Sequence, residues 1–105
     1  MTQAVGLLAT LWAAPGRIDD LIEAFTTMMQ TVEQETGTLA YGLHRVSGDR
    51  EGVVVYELYR DAAAQQRHGS SYALALLKAR LPELLGAAPE MLSLMPIANA
   101  KGLPF

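Results

Sequence analysis

Apolar and polar positions along this chain switch between two periods. Residues 4–12, AVGLLATLW, are an apolar run too short for a stable helix, closed by Ala14, Pro15 and Gly16. That pattern predicts a buried strand followed by a turn. From Arg17 to Glu35 the period changes. Ile18, Leu21, Ile22, Phe25, Met28, Met29 and Val32 recur at spacings of three and four, which draws one apolar stripe along a helix. Asp19 and Asp20 fall in its first turn, where the helix dipole favours them, and Gly37 is the expected C-cap. Residues 38–46, TLAYGLHRV, and 53–60, VVVYELYR, are rich in β-branched and aromatic residues. Joined by the turn-forming SGDREG, they read as an antiparallel hairpin. Asp61 is placed to cap a short helix over 62–67, and Ser70 or Ser71 a second helix running to about residue 85. Pro82 should kink that helix or open a fresh turn. EMLSLMPIA, 90–98, reads as a last strand, followed by the tail NAKGLPF.

The element order is β-α-β-β-α-β, the ferredoxin-like arrangement of the α+β class. It predicts a four-stranded antiparallel sheet with helices on one face. The strands carry apolar residues at both alternating sets of positions: Leu7, Leu11, Val53 and Val55 on one, Leu8, Val54, Tyr56 and Leu58 on the other. A sheet with one wet face should alternate more cleanly. The second face therefore needs a cover, and a second copy of the chain, packed sheet to sheet about a two-fold axis, supplies one.

Composition narrows the function. At 105 residues, half of them apolar and 18% charged, the chain is expected to form a single domain over 1–105. A net charge of −3 without a basic cluster argues against nucleic acid as a partner. There is no cysteine, so disulfides and thiolate metal sites are excluded, which fits a reducing cytoplasm. The first residues lack the basic start of a signal peptide, and no apolar run is long enough to span a bilayer, so a cytoplasmic protein without membrane contact is expected.

With that order in place, PGRIDDLIEAF, EQETGTLAYGLHR and VVYELYRDAAAQQRH together resemble the antibiotic biosynthesis monooxygenase family. The shared features are Pro15-Gly16 before the first helix, Glu35-Thr36-Gly37 before the second strand, Glu57-Leu58-Tyr59 ending the third, and the Ala64-to-His68 turn. The resemblance implies a dimeric α/β barrel. It also implies oxygen insertion into a quinol-like or polyketide aromatic without flavin, haem or metal, the substrate anion itself reducing O2. The polyketide-oxidising branch resembles this chain but has Asn, Trp and Tyr where Val55, Tyr59 and Gln65 stand. The haem-degrading branch needs Trp at His68 and an axial His near Lys78, and this chain has neither. The remaining likeness is to the quinol-oxidising or uncharacterised members, which share the Glu and the His.

Each candidate site residue also has a structural role open to it. His68 is the candidate catalytic base, because imidazole changes charge near neutral pH; otherwise it caps the short helix or bonds across a turn. Glu57 stands in an apolar strand, so it must be paired or shifted in pKa, and a partner such as Arg45 or Arg60 is the structural alternative. Alternation places Tyr59 on the same face as Glu57, and Tyr56 on the other. His44 shares a face with Ala40, Gly42 and Val46, whose small members leave room for a ligand or for close packing. Trp12, Tyr41 and Tyr72 suit stacking on a flat substrate or packing in the core. No third ligand stands at metal-binding spacing from His44 and His68. Glu57, Tyr59, His44, Trp12 and Tyr72 are the candidate substrate-binding residues. Two functions remain open: a cofactor-free monooxygenase acting on a small aromatic, and a non-catalytic barrel that binds a small hydrophobic molecule or serves a stress response.

Overall fold

The structure, a computed structural model, describes residues 3–105. Its elements are β1 (Val5–Trp12), α1 (Ile18–Val32), β2 (Thr38–Arg45), β3 (Gly52–Tyr59), α2 (Ala62–Gly69), α3 (Tyr72–Leu84) and β4 (Glu90–Leu94). The four strands form one antiparallel sheet in the order β2-β3-β1-β4, the ferredoxin-like topology that the pattern predicts. The sheet of a single chain is open.

One face of the sheet is covered. Ala9 and Leu11 of β1 pair across with Val55 and Val53 of β3, and all four bury against the stripe of α1. Leu21, Phe25, Met28 and Val32 supply that stripe, and Leu77 and Leu84 of α3 close the layer. A side chain buried as fully as Leu21 contributes about 2 kcal/mol of hydrophobic free energy. The other face carries Leu8, Thr10 and Trp12 of β1, Ala40, Gly42 and His44 of β2, and Val54, Tyr56 and Leu58 of β3, as their pairings require. Leu58 is fully buried, and the rest of these residues are half-buried or exposed. Leu92 and Leu94 of β4 join this face and are exposed, and so are Met95 and Ile97 beyond the strand.

Several local expectations change. α1 ends with a C-cap at Glu33, and Gly37 adopts no left-handed conformation. The left-handed glycines are Gly16 in the β1–α1 turn, Gly48 in the hairpin loop and Gly102 in the C-terminal tail. α3 runs through Pro82 to Leu84. A proline there removes one N–H whose acceptor would be the Lys78 carbonyl, and Lys78 is exposed to water, while the next turn is held by Leu85 N–H on Leu81 O at 3.0 Å. β4 stops at Leu94 rather than 98. Leu94 pairs with Gly6, one residue from the start of β1, so the partner strand runs out, and Pro96 has no N–H to offer. Asp61 and Ser71 cap α2 and α3 as expected, accepting from Ala64 N–H at 2.8 Å and Leu74 N–H at 3.2 Å.

Candidate functional site

The hairpin register decides what lies together at the end of β3. Tyr41 pairs across with Glu57, and Thr38 with Tyr59. Arg60 N–H donates to Gly37 O at 2.9 Å, so the α1–β2 turn sits beside the exit of β3. α2 starts two residues later and packs directly over that turn. A Cβ on Gly37 would stand 2.5 Å from the Cβ of Ala64, so only glycine allows α2 this approach. One turn further along α2, His68 is thereby set against Glu35.

Six side chains meet there. His68 Nδ1 lies 3.0 Å and 3.2 Å from the two Glu35 carboxylate oxygens, and Thr38 Oγ1 donates to Glu35 Oε1 at 2.7 Å. The Tyr59 hydroxyl donates to Glu57 Oε1. The His68 ring stands 5.4 Å from that of Tyr41 and 5.6 Å from that of Tyr59, centroid to centroid. Glu57 and His68 are 7% and 4% exposed and form the buried polar part of this end of the molecule.

Burial sets the electrostatics. It pushes the Glu57 carboxyl above its ordinary value of 4.5, while the Tyr59 hydrogen bond and the charge of His68 pull it partly back. Burial likewise raises both phenols above 10.0, assisted at Tyr59 by the bond to Glu57 and its charge, and at Tyr41 by the charges of Glu57 and Glu35. Both tyrosines are therefore neutral donors at physiological pH. Asp61, at the mouth, is held below 3.8 by the Ala64 N–H it caps and by Arg60 and Arg67 nearby.

His68 and Glu35 reach the surface in a cleft of about 230 Å³ walled also by Gly37, Thr38, Ala64 and Arg67. A second cleft of about 310 Å³ lies on the other side of Glu35 and Thr38, bounded by Met29, Val32 and Tyr41. Among the described residues, no three His, Asp or Glu side chains converge as a metal site requires.

The structure brings together Glu57, Tyr59 and His68, and places the other candidates elsewhere. His44 is exposed on the uncovered face of the sheet, beside Gly42 and on the opposite side from Glu57. Trp12 stands at the far end of β1, its ring packed on Gly52 under the Arg50 guanidinium at 3.9 Å, its indole N–H donating to Glu90 at 2.8 Å. Tyr72 is 78% exposed and lines a groove of about 520 Å³ between α1 and α3. Glu35 and Thr38 join the cluster although the sequence pattern marks neither as a site residue, and Tyr41 stands out there only as an aromatic. The hairpin register was the available signal: it sets Tyr41 opposite Glu57 and the start of β2 beside the end of β3.

An open ferredoxin-like sheet, with helices on one face and a buried acid–phenol–imidazole cluster where β3 exits, defines the class. The sequence pattern of the antibiotic biosynthesis monooxygenase family matches residues 4–80, and the chain belongs to that family. No curated protein matches it. Among solved structures, a Pseudomonas aeruginosa protein superposes with a TM-score of 0.85 at 28% identity, over 93% of this chain and 98% of its own. A Mycobacterium tuberculosis protein does so at 0.86 and 24%, over 93% and 99%. A Caulobacter crescentus protein that carries the family's name gives 0.86 and 24%, over 92% of both chains. The last two bear on the fold alone.

Proposed function

We propose that the chain is a monooxygenase acting on a small quinol or phenol, with His68 as its base and Glu35 as the group that orients it. The supporting observation is the Glu35–His68 pair at the wall of a cleft. A carboxylate accepts hydrogen bonds, so Nδ1 carries the proton and Nε2 the lone pair that takes one from substrate. The quinol anion then passes one electron to O2. The two radicals join at a ring carbon, forming the C–O bond of a hydroperoxide. Loss of that carbon's hydrogen with the outer oxygen, as water, leaves a carbonyl. The balance is quinol plus O2 giving hydroxyquinone plus water, so the substrate supplies all the electrons. Trp12, His44 and Tyr72 take no part in this reading.

The uncovered sheet face is proposed to pair with a second copy of the chain. Leu92→Asp, on that face, should turn a dimer into a monomer in analytical ultracentrifugation; a wild-type monomer would end this part of the reading.

A binding role without turnover has its own support. No buried side-chain nitrogen or oxygen among the described residues lacks a partner, and apolar side chains fill the space between α1 and the sheet. Oxygen consumption with a panel of quinols and anthrone-like phenols, chelator present and autoxidation subtracted, separates the two. Turnover that falls about a hundredfold or more in His68→Ala supports base catalysis. Uptake at the autoxidation rate throughout the panel favours the binder.

A further inference from the structure

We infer that the His68 cleft selects a single-ring quinol or phenol bearing a carboxylate, and that Arg67 is the residue that reads the acid. This rests on the proposed function and narrows its substrate. Size comes first. A cavity of about 150 Å³ accommodates benzene. The His68 cleft, about 230 Å³, therefore has room for one ring with substituents.

Charge comes second. Of the six arginines in the sequence, Arg17, Arg45, Arg60 and Arg80 each pair with a carboxylate, and Arg50 lies over the Trp12 ring. Arg67 makes no ion pair with any described residue. Its nearest carboxylates are already engaged: Asp61 with Ala64 N–H and Arg60, Glu35 with His68 and Thr38. Arg67 is exposed at the cleft. Its Nη2 lies 3.2 Å from the point where a Gly37 Cβ would stand, so the missing side chain of Gly37 gives it a seat on the cleft wall. His68 is the next residue, on the same wall. A planar fork of donors beside a base fits a ring that presents a carboxylate to one and a hydroxyl to the other.

The test compares hydroquinone with gentisate, which is the same ring with a carboxylate added. For the full chain, KM from oxygen uptake should be on the order of tenfold lower for gentisate, and in Arg67→Gln that ratio should collapse toward one. Arg67→Lys should restore part of it. Equal KM values in the wild type, or an unchanged ratio in Arg67→Gln, would overturn the inference while leaving His68-dependent oxidation standing. If neither quinol is oxidised, the proposed reaction falls, and calorimetry under anaerobic conditions then decides the acid site alone. Gentisate binding weakened about tenfold by Arg67→Gln supports it; no binding, or binding indifferent to the substitution, overturns it.

Discussion

The two ends of the central strand pair use the same device in different media. At one end Tyr59 donates to Glu57, and at the other Trp12 donates to Glu90. Each is an aromatic with a polar handle bonded to a carboxylate. Glu90 is exposed, and its indole partner sits between Gly52 and the Arg50 guanidinium, in reach of water. Glu57 is enclosed, and Tyr59 has no exposed surface at all. In water such a bond replaces others of similar strength and holds β4 against β1. Away from water it is the main compensation for a carboxyl that has lost its hydration, and the site becomes sensitive to proton and partner alike.

Removing the donor at each end should expose that difference most directly. Tyr59→Phe leaves Glu57 buried without its O–H, and should lower stability by about 1–3 kcal/mol in urea unfolding at pH 7. The loss should shrink as pH falls toward 4.5, because a protonated Glu57 needs the donor less.

The pH dependence sharpens the contrast. Glu57 has a folded pKa above its unfolded one, so between the two values the folded state holds the extra proton. Its contribution is complete below the ordinary 4.5 and is lost as pH rises through the raised value. Wild-type unfolding midpoints should therefore decline as pH rises from about 4.5 through the raised value, and Glu57→Gln should flatten the decline. An equal slope in both proteins would show that Glu57 is not the group responsible.

The smallest effect is expected at the exposed end. Trp12→Phe removes the indole N–H yet keeps a ring over Gly52, and should change stability by no more than about 0.5 kcal/mol. A loss as large as that of Tyr59→Phe would erase the distinction between the two ends.

Much of the architecture was legible because periodicity reports burial. The stripe of α1, the hairpin and the caps at Asp61 and Ser71 follow from spacing and residue type alone. His44 shows where that stops. Alternation set it on a face, but both faces of this sheet are apolar, so nothing local said which one the helices would cover. The end of β4 depended on how far β1 extends, a property of its neighbour. Glu35 and His68 lie 33 residues apart, and their meeting follows from strand pairing and from the absent side chain of Gly37. Neither residue carries a local mark of the other.

The ladder between β2 and β3 shifts register at one place, where Thr38 faces Tyr59 and Ala40 faces Leu58, leaving Leu39 as the extra residue. That shift lets Thr38 and Tyr41 share a face although they are an odd number of positions apart. It also gives the fold a place to change length. Deleting Leu39 would remove the extra residue and leave Thr38 opposite Tyr59 and Ala40 opposite Leu58 in a regular ladder. The strand can thus lose a residue here without rewriting the hairpin beneath the carboxylate and imidazole.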